Sequence, residues 1–303
     1  MSTITFVPQN EIDRLYDLRQ FLDGVGDAHL LQPKRLTMRL NILDKLDAIV
    51  GDLDTLDLKS FFDPEVILRA ELLKSQLEEA NESLYEVAHD EIVLTGKSPA
   101  LDRWLAEAVD DEETEIRQPG LGFDLLDEIV SGVLQFRGPG DAGFLPSPEM
   151  RAYQPTPARH ILDLIEACRF SSDDVLVDLG SGLGHVPLLV GIQAGIRTLG
   201  VEVQPDHAAS AQETAQRLNL SRVQFVAEDA RRMDLSAGTV FYMFSPFTGS
   251  ILSDVLDRLR RQSKTRQIRI CALGPCTRIL QEQTWLTAHQ RSDTERIAVF
   301  KSV

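Results

Sequence analysis

Three acids in the C-terminal half carry the clearest chemical signal: Asp178, Glu202 and Asp229. Asp178 opens the run Asp178-Leu179-Gly180-Ser181-Gly182-Leu183-Gly184, directly after the apolar stretch Val175-Leu176-Val177. A short apolar run followed by alternating glycines reads as a buried strand, a tight turn and the start of a helix. Glycine lacks a Cβ, so backbone amides in such a turn can approach a ligand closely. Glu202 closes a second apolar run, Thr198-Leu199-Gly200-Val201, and Asp229 follows a third, Arg222-Val223-Gln224-Phe225-Val226. All three acids thus fall at C-terminal strand ends, where open α/β sheets bind ligands.

The loop discriminates among nucleotide-type ligands. The glycine turn carries no Gly-Lys-Ser/Thr, and the tripeptide Gly96-Lys97-Ser98 has Glu91 where a Walker A loop needs its first glycine, which removes that reading. The last glycine of a dinucleotide Gly-x-Gly-x-x-Gly fingerprint is replaced by His185. An acid two residues before the first glycine would sit badly beside a pyrophosphate. It suits a ligand carrying a sulfonium and an α-amino group, both cationic, and so points to S-adenosylmethionine. A carboxylate at position 202 can accept both hydroxyls of a ribose, and one at 229 can accept from an adenine amine.

The elements that must position these residues alternate. Strands are expected at 174–178, 198–202, 222–226, 239–244 and 267–273, with helices between them at 158–168, after the glycine turn, at 205–218 and at 249–261. Alternation of this kind gives a parallel sheet with helices on both faces. Two final strands, 285–289 and 296–301, have too short a connection for a parallel crossover and must be antiparallel. Thr156 before Pro157 is expected to N-cap the helix 158–168.

These features resemble the class I S-adenosylmethionine-dependent methyltransferases over about residues 153–303. The resemblance implies a Rossmann-like α/β fold with a seven-stranded sheet, its last strand antiparallel. It implies Asp178, Gly180, Ser181, Gly182 and Gly184 near the methionine moiety, Glu202 on the ribose, and Asp229 and Ala230 at the adenine. Tyr153-Gln154-Pro155-Thr156-Pro157 looks like the segment that precedes the first helix in some bacterial methyltransferases and in mitochondrial protein-lysine methyltransferases. Those in turn resemble the histone lysine methyltransferases of the telomeric-silencing type. Tyr153 and Thr156 are therefore candidate cofactor residues, and Tyr153 also a catalytic candidate. Phe244-Ser245-Pro246-Phe247 stands where amino-methylating nucleic-acid enzymes carry Asn/Asp-Pro-Pro-Tyr/Phe. Phe244 is a cofactor candidate, Ser245 a catalytic one, and Phe247 an aromatic that can stack on an acceptor. The single proline and the serine depart from that pattern and weaken a base-methylating assignment. His185 is expected on a helix surface.

The first half has a different texture. Val66, Ile67, Ala70, Leu73, Leu77, Ala80, Leu84 and Val87 recur at helical spacing, with Asp63 as the expected N-cap before Pro64. Further helices are expected near 10–22, 34–50, 99–109 and 122–133. The domain reading is therefore an acidic all-α domain over 1–136, a Gly/Pro-rich linker or lid over 137–157, and a methyltransferase domain over 158–303. Residues 1–150 hold 13 Lys and Arg against 31 Asp and Glu, whereas residues 151–303 hold 18 against 16. The net charge is −16; the acidic first half disfavours nucleic acid as a partner and either steers a basic protein towards it or simply keeps the protein in solution, and the methyl acceptor is expected to be a basic protein or a small molecule. The N-terminal helices are a candidate homodimer surface. Arg258, Arg260, Arg261, Lys264, Arg266 and Arg269 form a basic cluster that reads as an anion patch, a solvated helix end or a dock for the acidic half.

Cys168, Cys271 and Cys276 suggest buried free thiols and no metal site. No signal-like or membrane-length apolar run is present, which points to the cytoplasm. Two other classes stay open: a dinucleotide-dependent oxidoreductase, and a non-catalytic binding protein on the methyltransferase fold.

Overall fold

The computed structural model describes residues 18–24, 30–55, 64–110, 121–138, 147–288 and 293–303. The chain divides into two compact units, residues 1–87 and 88–303. The helical segment expected as one domain over 1–136 is thus shared between both units. Asp63 and residues 10–17 of the first expected helix lie outside the described residues.

In the first unit a 3-10 turn at Pro33–Arg35 leads into helix α1, Leu36–Thr55, and α2, Pro64–Thr95, begins there. The apolar stripe of α2 buries Val66, Ala70, Leu73 and Leu77 against Leu18, Leu22, Leu30, Ile42 and Leu46. Arg39 is wholly buried in this unit. Its guanidinium donates to Asn81 Oδ1 at 2.6 Å and to the carbonyls of Leu30 and Gln32 at 2.7 and 2.8 Å.

The second unit opens with Ala88–Thr95 of α2, then α3, Pro99–Asp110, and α4, Leu125–Leu134. Helix α5, Ala158–Cys168, precedes β1, Val175–Leu179. There follow α6, His185–Ala194; β2, Arg197–Glu202; α7, Pro205–Arg217; and β3, Val223–Ala227. The chain ends with β4, Val240–Met243; α8, Gly249–Ser263; β5, Arg269–Ala272; α9, Cys276–Gln281; β6, Leu286–Ala288; and β7, Ala298–Ser302.

The seven strands lie in the order β3-β2-β1-β4-β5-β7-β6. β1 through β5 are parallel, and β7 runs antiparallel to both β5 and β6. The seven-stranded sheet and the antiparallel final pair are as the alternation requires. Every residue of β1 is buried, as expected of a strand covered on both faces. The strand order reverses at β1, between β2 and β4, so the ligand crevice of an open α/β sheet should lie at the carboxyl ends of these strands.

The opposite edge is pinned by Asp174. Its carboxylate accepts from Thr239 Oγ1 at 2.8 Å, from the Ser171 amide at 2.8 Å and pairs with Arg269 at 2.7 Å. Burial works against its charge, yet these donors hold its pKa at about 2. Arg269 also donates to the Cys168 carbonyl at 2.5 Å, so α5, β1, β4 and β5 are tied at one corner.

The start of α5 departs from the expected cap. Pro157 occupies the cap position without a side-chain bond, and the Thr156 hydroxyl bonds Tyr242 Oη at 3.0 Å instead. The Ala158 amide donates to Asp127 Oδ1 at 2.8 Å. Asp127 also completes the capping box of α4 by accepting from the Asp124 amide at 2.8 Å, so a side chain from a distant helix caps α5.

Desolvation raises the Asp127 pKa from 3.8 to about 6. The folded chain therefore takes up this proton between about pH 6 and 4 while the unfolded chain does not, and stability contributed here rises as pH falls. In urea unfolding, the stability of wild type relative to D127N should rise by about 1 kcal/mol from pH 7 to pH 4.5, once the solvent-facing part of the carboxyl is discounted.

Candidate active site

A cavity of about 420 Å³ opens at the carboxyl ends of β1, β2 and β4. Its wall includes Tyr153, Thr156, Asp178, Gly180, Ser181, Glu202, Asp229, Ala230, Phe244 and Ser245. Ten of the twelve residues singled out in the sequence are thus brought together. Gly182 and Gly184 do not line it.

The glycine turn explains that difference. Gly180, Gly182 and Gly184 have φ of 91°, 52° and 90°, the left-handed region that side chains rarely adopt. A Cβ on Gly182 would lie 2.1 Å from the Tyr153 ring, and one on Gly184 2.5 Å from Phe225. A Cβ on Gly180 would meet Pro246 at 2.4 Å. The missing side chains therefore make room for the protein's own rings as well as shaping the turn.

Asp178 is opposite Gly200 on β2 and Tyr242 on β4. It is 3% exposed, and burial, then the charge of Glu202, push its pKa well above the usual carboxylate range. Among the described residues no hydrogen bond reaches its carboxyl. Glu202 is engaged differently: Oε2 accepts from the Gly182 amide and Oε1 from the Gln204 amide, each at 2.9 Å. It thereby fastens the glycine turn to the end of β2.

Asp229 faces the cavity with its carboxylate held by the fork of Arg231. Oδ2 receives Nη2 at 2.6 Å and Oδ1 receives Nε at 3.0 Å. This pairing leads the lowering of its pKa. Oδ1 also accepts from the Arg231 amide at 2.8 Å, so the acceptor capacity that remains is on Oδ2.

The segment 147–157 forms one wall. Glu149 caps α8 by accepting from the amides of Ser250 and Ile251 at 3.1 Å and from Ser250 Oγ at 2.8 Å. Met150 bridges to Phe247, and the Arg151 amide donates to the Pro246 carbonyl at 3.0 Å. Tyr153 follows, its hydroxyl 3.4 Å from His185 Nδ1 and its ring edge-on to His207 with centroids 5.0 Å apart. Partial burial, then the charges of Glu202 and Asp178, raise the Tyr153 pKa, against the backbone hydrogen bond from Leu183. The phenol stays neutral at physiological pH.

Several expectations are corrected here. His185 is not a surface group: it lines the cavity and stacks on Phe136 with centroids 3.8 Å apart. Burial lowers its pKa to about 4, so it is a neutral imidazole above that pH. The Ser245 hydroxyl is bound on both sides, donating to the Leu273 carbonyl and accepting from the Cys276 amide, each at 3.0 Å. Its φ of 45° and these two bonds fix the end of β4 to the β5–α9 turn. Phe247 is 6% exposed and packs in the core, while one face of it still lines the cavity. In the basic cluster, Arg258 and Arg266 donate to carbonyls of the 231–238 loop, and Arg269 pairs with Asp174. Half of that cluster therefore serves the fold. All three cysteines are buried and free, with Cys168 Sγ 3.3 Å from Cys271 Sγ.

Sequence patterning did not single out His207, Gln154, Glu228 or Tyr242, all in the wall. His207 and Tyr242 lie on α7 and β4, and Gln154 and Glu228 on connections; the packing of these elements brings them to one wall, and no periodicity encodes it. Among the described residues no cluster fit to hold a metal is present, and no helix is long and apolar enough to cross a membrane.

The residues present fit S-adenosylmethionine. Two adjacent buried acids, one without a hydrogen-bond partner, call for a cationic group. The buried polar atoms Ser181 Oγ and His207 Nδ1 lack partners in the same wall. D178N removes the repulsion with Glu202, so the ligand-free protein should melt a few degrees higher. Adenosylmethionine affinity should fall about tenfold or more, the scale of one charge-assisted contact. Adenosylhomocysteine, lacking the sulfonium charge, should lose less. Thermal melts and calorimetry read both effects.

A family model described as histone methylation protein DOT1 matches residues 150–243. A search of curated proteins finds no match. Among solved structures, the chain is similar to an RNA methyltransferase from Salinibacter ruber in complex with S-adenosyl-L-homocysteine, at 23% identity and a TM-score of 0.39, covering 49% of this chain and 92% of that one. It is similar to the human methyltransferase 10 domain containing protein at 15% identity and a TM-score of 0.38, covering 58% and 92%. A SAM-dependent methyltransferase from Aquifex aeolicus gives 15% identity and a TM-score of 0.38, covering 47% and 89%. The strand order and the acids at the strand ends agree with that family match over residues 150–243, and residues 88–303 carry the fold of the class I S-adenosylmethionine-dependent methyltransferases.

Proposed function

We propose that the chain methylates a nitrogen on a basic protein side chain, lysine foremost. The observation that carries this reading is the state of the Ser245-Pro246 corner. Enzymes that methylate base amines offer a free polar side chain and a free proline carbonyl to the target amine. Here the Ser245 hydroxyl is committed to Leu273 and Cys276, and the Pro246 carbonyl to the Arg151 amide. That corner has little capacity left for a flat amine. The histone-methylation family match over 150–243 and the net charge of −16 favour a basic protein partner.

When bound, the cofactor supplies a methyl group already activated on a sulfonium, so the hard chemistry is its own. The protein's part is alignment and control of charge. Asp178 would face the cationic end, Glu202 would hold the ribose, and Asp229 with Ala230 would meet the adenine. Tyr153 closes the wall above the glycine turn as a neutral phenol, able to hydrogen-bond an acceptor without competing for its proton. Ser245 acts by holding the β4 end in place. The acceptor amine must arrive uncharged for its lone pair to attack.

Incubation with tritiated adenosylmethionine, a set of Lys-rich proteins, total RNA and small amines tests the acceptor. Label should enter protein and be recovered as methyl-lysine after hydrolysis; label in RNA alone would sink the reading. Y153A should lose about 100-fold in kcat/KM, because the ring that fills the space over Gly182 is gone. Y153F should lose about tenfold, the scale of one buried hydrogen bond.

A further inference from the structure

His207 is the third residue of α7 and stands five residues after Glu202, at the same β2 corner. It is 9% exposed and lines the cavity. Its ring meets the Tyr153 ring edge-on, a contact that any aromatic ring could make and that does not account for a histidine. Among the described residues no hydrogen bond reaches the imidazole, and Nδ1 is sealed without a partner. An imidazole in its neutral form carries one N–H donor and one acceptor nitrogen. Leaving such a buried group unpaired costs about 1–3 kcal/mol. Among the described residues, the unpartnered buried polar atoms include only two from side chains in the cavity wall, Ser181 Oγ and His207 Nδ1. Both residues stand in the wall that a ligand would face.

The chemistry beside it narrows what that ligand group is. Glu202 is an acceptor, already bound by two amides, and can take further hydrogens only from a donor. A hydroxyl has one hydrogen to give and two lone pairs to fill. One that donates to Glu202 leaves its lone pairs facing the corner, and an imidazole N–H there completes it. We propose that His207 is a second ribose contact: it donates to a sugar hydroxyl whose hydrogen Glu202 accepts, and it sets a preference for ribose over deoxyribose in the cofactor. The proposal rests on the reading of Glu202 as the ribose acid.

Calorimetry with adenosylhomocysteine and its 2′-deoxy and 3′-deoxy forms tests it on the full chain. Wild type should bind the parent at least about tenfold more tightly than one of the deoxy forms. H207F keeps a ring against Tyr153 and should discriminate several-fold less than wild type, keeping only the part of the preference that the Glu202 bond supplies. H207Q, which restores a donor, should recover part of it. The ratio of two ligands on one variant does not depend on the fraction folded, so partial destabilisation does not blur the result. If H207F discriminates as wild type does, the proposal is overturned. E202Q reads the underlying assignment separately: an unchanged adenosylhomocysteine affinity there removes Glu202 from the ribose and the proposal with it. A loss in E202Q without one in H207F removes His207 alone.

Discussion

Two carboxylates buried side by side repel, and the corner where Asp178 meets Glu202 organises the rest of this unit. β1 and β2 are adjacent parallel strands whose register sets Asp178 opposite Gly200, two residues before Glu202. The charges are forced together by backbone pairing and by burial at 3% and 6% exposure. Glu202 is stabilised by two backbone amides. Asp178 has no such donor and is pushed towards its protonated form. A cationic ligand relieves this strain, so the free energy of binding is partly stored in the ligand-free fold. A sulfonium cofactor suits the corner, and a pyrophosphate does not.

The glycine turn serves that corner in an unexpected way. Gly182 donates its amide to Glu202 while the space of its missing side chain admits the Tyr153 ring. One residue thus links the β2 acid, the turn and the 147–157 wall. The wall is held at its other end by Glu149 on the start of α8 and by the Arg151 amide on Pro246. Tyr153 stays 38% exposed, between a neutral His185 and His207.

The structural arginines account for much of the apparent basic character near β5. Arg258 and Arg266 hold the 231–238 loop by its carbonyls, and Arg269 compensates Asp174 at the far edge of the sheet. Arg231 holds Asp229 in a fixed orientation at the end of β3. Bidentate and multiple donors make arginine suited to such roles.

Hydrophobic periodicity alone determined the order of strands and helices in residues 153–303, because burial on both faces demands continuous apolar runs such as Val175-Leu176-Val177. The acids at 178, 202 and 229 were readable for the same reason, each ending such a run. The antiparallel final pair was readable from connection length. Only the tertiary structure decided how side chains spend their hydrogen bonds. Thr156 looked like a helix cap, yet its hydroxyl is bonded to Tyr242, 86 residues away in the chain, and Asp127 of α4 caps α5 in its place. Ser245 looked available for chemistry and is bound to Leu273 and Cys276. His185 looked exposed and His207 attracted no notice, yet both stand in the cavity wall. Local pattern reports which face of an element is buried. Which polar atoms are satisfied there depends on partners distant in sequence, and that is settled only when the chain has packed.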